Sequence, residues 1–269
     1  MDDPNIELLT RVAEALGGLR ERLVFVGGCA TALLITDAAA PPVRVTHDVD
    51  AVVAIATLPE YHRLGNALRA RGFSRTLVEG EPPYRWTHAG MKLDVMPTNE
   101  TVLGFSNRWY EPAMRTAVSV PLREGLEIRL VTPAYFVATK LEAFEDRGRA
   151  DYMESHDLED VLSVVDGRPE IVDEIANAEL LLRGYVAGVF ARLIADDGFF
   201  NALPGIIIDG SPPARLPVVL ERLRKIAALS QESWTVPPSS RSSGTTATSC
   251  GTTECRTAIM SSSSLTCYS

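Results

Sequence analysis

The sequence predicts an α+β fold in which a mixed-sheet α/β half, residues 1–131, is followed by a helical half, residues 132–230. Three observations carry this. Up to about Thr132, short β-branched or apolar runs alternate with segments of helical periodicity. Beyond it, only helical spacing recurs. The junction itself, Thr132-Pro133, pairs an N-cap residue type with a proline at the first helical position, where its missing N–H costs nothing.

The elements follow in order. Residues 6–16 place Leu8, Leu9, Val12, Ala15 and Leu16 at helical spacing, and Gly17-Gly18 ends the helix. Residues 22–26 form a short apolar strand, and 29–36 an Ala/Leu helix. The β-branched run 48–56 is a strand; 58–71 is a helix stopped by Gly72. Strands are expected over 73–78, 84–88 and 91–96, the last two joined by a tight turn at Ala89-Gly90, and over 117–121 and 126–130. In the second half, helices are expected over 133–147, 156–165, from near Pro169, over 181–195 and over 216–228. From about Ser239 the chain is rich in Ser and Thr with almost no periodic apolar residues, so 231–269 reads as a disordered tail outside the fold.

The 269 residues are 46% hydrophobic and 23% charged, enough apolar surface for a sizeable core. No apolar run is long enough to span a bilayer. The start, Met1-Asp2-Asp3-Pro4, lacks the basic and apolar regions of a secretory signal, so a cytoplasmic protein is expected. The four cysteines have neither the number nor the spacing of a disulfide framework or zinc site; Cys29 reads as a small buried thiol. The net charge of −9 gives no general affinity for nucleic acid. An RNA partner would need a local basic patch. Arg108, Arg115, Arg123 and Arg129 cluster in sequence; the plainer reading is a solvated face.

Three features carry chemistry. Asp48 and Asp50, at i and i+2 on a strand, point to one face, while Val49, Ala51 and Val53 point to the core. Neighbouring carboxylates repel, and become favourable when they share divalent cations. Taken alone, the pair also describes two solvent-facing residues at a strand start. Second, Phe25-Val26-Gly27-Gly28-Cys29 runs from a strand through two glycines into a helix, where backbone can approach a phosphate. Alone, this is a tight strand-to-helix turn. It is neither a P-loop nor a dinucleotide fingerprint. Third, Asp94 lies on the alternating strand Met91-Lys92-Leu93-Asp94-Val95, sharing a face with Lys92, as on an ordinary edge strand. Together and in this order, the three are the equipment of two-metal in-line phosphoryl chemistry.

The ordered set resembles the DNA polymerase β-like nucleotidyltransferase superfamily: a Gly-Gly turn, a spacer, Asp-x-Asp, and a later third carboxylate. The resemblance implies a polymerase β-like nucleotidyltransferase domain, with Gly27 and Gly28 as the turn, Asp48 and Asp50 as the metal pair and Asp94 as the third ligand. The spacer, residues 29–47, is longer than is common there, and Ala38-Ala39-Ala40-Pro41-Pro42 reads as an extra loop. Within the helical half, Lys140, Arg147 and the stretch Ser155-His156-Asp157-Leu158-Glu159-Asp160 are similar to the AbiEii/MenT branch, the toxin half of abortive-infection toxin–antitoxin systems. His156 stands where that branch has Lys or Arg. Seven apart, Lys140 and Arg147 share a helix face, as do Asp157 and Asp160, three apart. A lysine there can neutralise phosphate, and the aspartates can orient it or bind the nucleotide. Lys140 also reads as an exposed helix lysine, and Asp157 as a carboxylate favoured at a helix N-terminus.

The resemblance implies an enzyme transferring NMP from a nucleoside triphosphate, with two Mg²⁺ ions. Its catalytic residues would be Asp48, Asp50, Asp94, Lys140 and Asp157; Gly27, Gly28, Lys140, Arg147 and Asp160 would bind the nucleotide. The acceptor would be tRNA or another RNA, and the partner a cognate antitoxin. The alternatives are transfer to a small molecule or protein, a degenerate nucleotide-binding module, and a phosphatase or nuclease, which would not need the glycine turn or Lys140.

Overall fold

A computed structural model describes residues 3–75, 81–147, 151–207 and 215–230. The expected tail, 231–269, lies outside them, as does most of the end of the expected strand 73–78.

The first helix, α1 (Pro4–Leu16), starts where the Asp3 carboxylate accepts from the Asn5 and Ile6 amides, and ends at Gly17. A 3-10 turn (Gly17–Arg22) leads into β1 (Leu23–Val26), buried along its whole length. The expected helix 29–36 is shorter and split: a 3-10 turn (Gly28–Ala30) and then α2 (Thr31–Leu34). After a long loop come β2 (Asp48–Val53) and α3 (Leu58–Ala70), the latter opened by a Thr57/Glu60 capping box. Strands β3 (Arg85–His88) and β4 (Met91–Pro97) form the expected hairpin, with Ala89 and Gly90 at positive φ as a two-residue turn demands. Of the expected strand 73–78, Ser74 makes a single bridge to Thr87.

Two short helices were not anticipated, α4 (Glu100–Leu103) and α5 (Tyr110–Thr116); each is too short to show a period, and Gly104 at positive φ ends the first. The pair β5 (Val118–Arg123) and β6 (Leu126–Leu130) follows as expected. The helical half begins at the Thr132-Pro133 junction with α6 (Pro133–Arg147) and α7 (His156–Gly167), the latter capped by Ser155. It continues with α8 (Ile171–Ala176), α9 (Leu180–Ile194), α10 (Asp197–Ile207) and α11 (Arg215–Ala228). Helix α10 is not among the expected helices; Gly198, Pro204 and Gly205 are poor helix formers, and the helix is held by Phe199, Leu203 and Ile207, buried at i, i+4 and i+8.

The six strands make one mixed sheet in the order β3-β4-β2-β1-β6-β5. Strand β4 is therefore internal, not an edge: it runs parallel to β2 and antiparallel to β3. The core is continuous from α1 and the sheet into α6, α7 and α9, and all described residues belong to one compact unit. No helix among the described residues is long and apolar enough to cross a membrane. Cys29 is a buried free thiol, as expected, and donates to the Asn5 carbonyl.

Asn5 matters beyond its own helix. At 1% exposure, its side-chain oxygen accepts from the Thr46 amide at 2.9 Å and its NH₂ donates to the Arg44 carbonyl at 2.8 Å. The long loop is thereby pinned to α1 just before β2 begins. Asn5→Ala strands two buried backbone groups and is expected to lower unfolding free energy by about 1–3 kcal/mol. A urea titration against the parent protein measures it; a change below a few tenths would mean that the loop is held by something else.

Candidate active site

Every chemistry-bearing residue of the sequence analysis lies in or beside one cleft of about 320 Å³, whose wall includes Gly27, Gly28, Asp48, Asp50, Asp94, Lys140, Arg147 and Asp157. Strand parity places Asp48 and Asp50 on one face of β2, with Val49 and Ala51 buried behind them. Parallel pairing with β4 sets the Asp50 and Asp94 Cα atoms opposite each other. Antiparallel pairing with β3 then sets Arg85 opposite Asp94.

Arg85 was not anticipated. Its Nε and Nη2 donate to the two oxygens of Asp94 at 2.8 and 2.7 Å, and Nη2 also reaches Asp48 Oδ2 at 3.1 Å. This fork holds the guanidinium pKa above its ordinary value, the Asp94 hydrogen bonds outweighing the cost of burial. The two-residue turn at Ala89-Gly90 carries the signal that would have found it: counting back from that turn pairs position 85 with 94.

Asp50, on that same face of β2, sits opposite Val26 of β1. Its carboxylate packs on Gly27, where an added Cβ would stand 1.9 Å from Asp50 Oδ2. Burial pushes the Asp50 carboxyl up to about 7; Lys140 pulls it down, while Asp48 and Asp94 add to the rise. Gly28 is crowded too, its missing Cβ replaced by Arg44 Nη2 at 2.6 Å, Thr46 Cγ2 at 2.8 Å and Asp160 Oδ2 at 3.0 Å. Both glycines line the cleft, but the room they leave is filled by the protein's own side chains, and the helix after them has only four residues. Gly27, at φ +75°, is required both by its backbone and by Asp50.

Across from the sheet, Lys140 on α6 is not an exposed lysine: its side chain is 11% exposed. Nζ contacts Asp157 Oδ1 at 3.0 Å and Asp160 Oδ2 at 2.7 Å. Burial opposes the ammonium, but Asp160, Asp157 and Asp50 together hold its pKa above the ordinary value. Asp157 also takes Arg147 at 3.1 Å, and Asp160 takes a bidentate fork from Arg44 at 2.9 Å on both arms. The chain Arg147–Asp157–Lys140–Asp160–Arg44 thus ties α6, α7 and the long loop together. Sequence offered no signal for Arg44, whose partner is 116 positions away.

The carboxylate set suits divalent cations in kind and in register: hard oxygen donors on adjacent strands, facing one cleft. As they stand, Asp94 and Asp48 serve Arg85. Among the described residues no three His, Cys, Asp or Glu side chains converge to hold a metal.

The four clustered arginines do not form a free basic patch. Arg108 pairs with Glu142, Arg115 with Glu111 and Arg123 with Glu14, and Arg129 donates to the Met114 carbonyl. A wider depression of about 770 Å³ lies near Arg108, bordered by Asn99 and Glu142. Its Arg108 and Glu142 are paired with each other, and Asn99 caps α4.

The crystal structure of an antigenic nucleotidyltransferase-like protein from Paracoccidioides brasiliensis is matched over 80% of this chain and 97% of that chain, with a TM-score of 0.47 and 20% identity. No family model matches the sequence, and no curated protein does.

Gly27→Ala forces a Cβ onto Asp50 and a non-glycine residue to positive φ, and is expected to destabilise by about 1–3 kcal/mol or more. Gly18→Ala, where a Cβ meets nothing within 4 Å, is the control and is expected to stay within about 0.5 kcal/mol. Equal melting temperatures for the two variants would show that Asp50 does not depend on the glycine.

Proposed function

We propose that this chain is a nucleotidyltransferase, moving a nucleoside monophosphate from a nucleoside triphosphate to an acceptor hydroxyl. The observation that carries the reading is the meeting of Asp48, Asp50 and Asp94, on registered strands, with the buried Lys140 across one cleft. Carboxylates alone would suit hydrolysis as well. A buried lysine, itself held by two aspartates, is a fixed positive charge aimed at an anion, which suits a departing pyrophosphate.

On this reading each residue has a task. Two Mg²⁺ ions, held by Asp48, Asp50 and Asp94, would neutralise the triphosphate and acidify the acceptor hydroxyl. Lys140 binds the phosphate chain, and Asp157 and Asp160 position Lys140. Arg147, 75% exposed at the cleft mouth, meets the entering nucleotide. Tyr84 supplies aromatic surface on the cleft wall for a base. The acceptor oxygen bonds to the α-phosphorus, the bond to the bridging oxygen of the β-phosphate breaks, and pyrophosphate leaves. The acceptor's proton passes to Asp94. Gly27 seats Asp50 rather than offering a helix end to phosphate.

The finer reading follows the AbiEii/MenT resemblance: tRNA or another RNA as acceptor, and a cognate antitoxin as partner. At the cleft mouth an RNA end would meet Arg147, itself paired with Asp157, and the exposed His156 ring. Transfer to a small molecule or protein places no such demand on the cleft mouth.

Acceptor labelling tests this. The protein is incubated with Mg²⁺ and each α-³²P-labelled nucleoside triphosphate, with total tRNA, total protein or a small-molecule extract added in turn. Label is expected on one acceptor class, falling about 10²–10³-fold or more in Asp48→Asn. Release of phosphate from triphosphate with no acceptor labelled would favour a hydrolase. Label on RNA carries the toxin reading; label on protein or a small molecule ends it.

A further inference from the structure

The carboxylate face holds a cation of its own. Arg85 Nε and Nη2 occupy both oxygens of Asp94, and Nη2 is shared with Asp48. Asp94 is 4% exposed, so without this partner its charge would be buried among Asp48 and Asp50 with no compensation. The same oxygens are what a divalent cation would need. A carboxylate whose two oxygens already accept a planar fork has little to offer a metal. Arg85 itself is 20% exposed and lines the cleft, on β3 at the end of a hairpin, so its long side chain can turn toward the cleft while its backbone stays paired in the sheet.

We propose that Arg85 is a built-in counter-ion that keeps the carboxylates from binding metal until a triphosphate arrives, and then transfers its fork to the phosphates. This rests on the nucleotidyltransferase reading and adds an order of events to it. A guanidinium fits phosphate oxygens through the same two-pronged geometry with which it fits a carboxylate. Displaced from Asp94 by metal alone, it would keep no anion in the cleft beyond Glu81, 3.7 Å from its Nη1. Displaced by metal together with triphosphate, it finds one at once. Metal and nucleotide therefore bind as a pair, and a bare ion is refused. Arg85 is a binding and positioning residue in this scheme; the proton still goes to Asp94.

The probe is Mn²⁺, followed by electron paramagnetic resonance of the free ion, with and without a non-hydrolysable nucleoside triphosphate analogue. No turnover is needed. In the parent protein Mn²⁺ alone is expected to bind weakly, and the analogue to raise its affinity. In Arg85→Gln, Mn²⁺ alone is expected to bind about tenfold or more tighter than in the parent, since a positive charge has left its ligands. The analogue is expected to bind more weakly to that variant, so that its enhancement of metal binding shrinks. Arg85→Lys keeps the charge but not the fork and is expected to fall between; it serves also if the glutamine variant fails to fold. Unchanged or weaker binding of bare Mn²⁺ in both variants overturns the proposal while leaving the nucleotidyltransferase reading intact. Absence of Mn²⁺ binding in parent and variants, even with the analogue, overturns both.

Discussion

Three carboxylates on adjacent, registered strands cannot stand unpaired at the edge of an apolar core, and the arrangement of the whole molecule follows from how they are neutralised. Asp94 is almost wholly buried, and desolvation pushes the carboxyl of the half-buried Asp50 up to about 7. Two cations face them from opposite sides. Arg85 reaches in from the β3 end of the sheet and takes Asp94 and Asp48 directly. Lys140 comes from α6 and acts on Asp50 through the field, while its contacts go to Asp157 and Asp160.

That second arrangement explains why the helical half cannot be a loose appendage. A lysine buried to 11% exposure needs its own anions, and these lie on α7. Asp160, at 1% exposure, is in turn fully committed, taking Lys140 on one side and the Arg44 fork on the other. Arg44 belongs to the loop before β2, which Asn5 fastens to α1. A continuous polar path thus runs from the first helix through the long loop to α7 and α6, around the mouth of the cleft. The apolar core beneath joins the same elements. Removing Asp160 takes a partner from both Lys140 and Arg44, and removing Lys140 takes one from both Asp157 and Asp160, which costs more than the loss of a single contact.

Much of this was legible because it rests on local periodicity. Strand parity alone sets Asp48 and Asp50 on one face, and helix spacing alone sets Asp157 and Asp160 together. Lys140 was placed by resemblance, and its burial was not foreseen, because a helix lysine looks the same in sequence whether exposed or paired. The glycine turn was read as backbone clearance for a ligand; the clearance exists, but Asp50, Arg44 and Asp160 use it. Arg44 and the engaged arginines at 108 and 123 were invisible because their partners are set by tertiary packing, which leaves no pattern along the chain; Arg115 and Glu111 are an i,i+4 pair on a helix too short to show its period. Arg85 is the instructive case between these, since a two-residue hairpin turn fixes its register opposite Asp94. Asp94's strand read as an edge only because strand order is not written in spacing.

The charge balance of the cleft bears on what it can accept. Asp48, Asp50, Asp94, Asp157 and Asp160 face Arg44, Arg85, Lys140 and Arg147, and every one of the four cations already has a carboxylate partner. Such a cleft offers a bare polyanion nothing: each contact to phosphate must first break an ion pair, and the carboxylate left behind repels the newcomer. A polyanion that arrives with divalent cations changes the exchange. On the proposed reading the cations would take the carboxylates, and the freed guanidinium and ammonium groups would take the phosphates, so that each broken pair would be replaced by two new ones. Phosphate without cation and cation without phosphate are both disfavoured by the same pairing. Were the cleft to take a metal–triphosphate complex as proposed, its selectivity would be a property of the self-neutralised resting state and would require no moving lid.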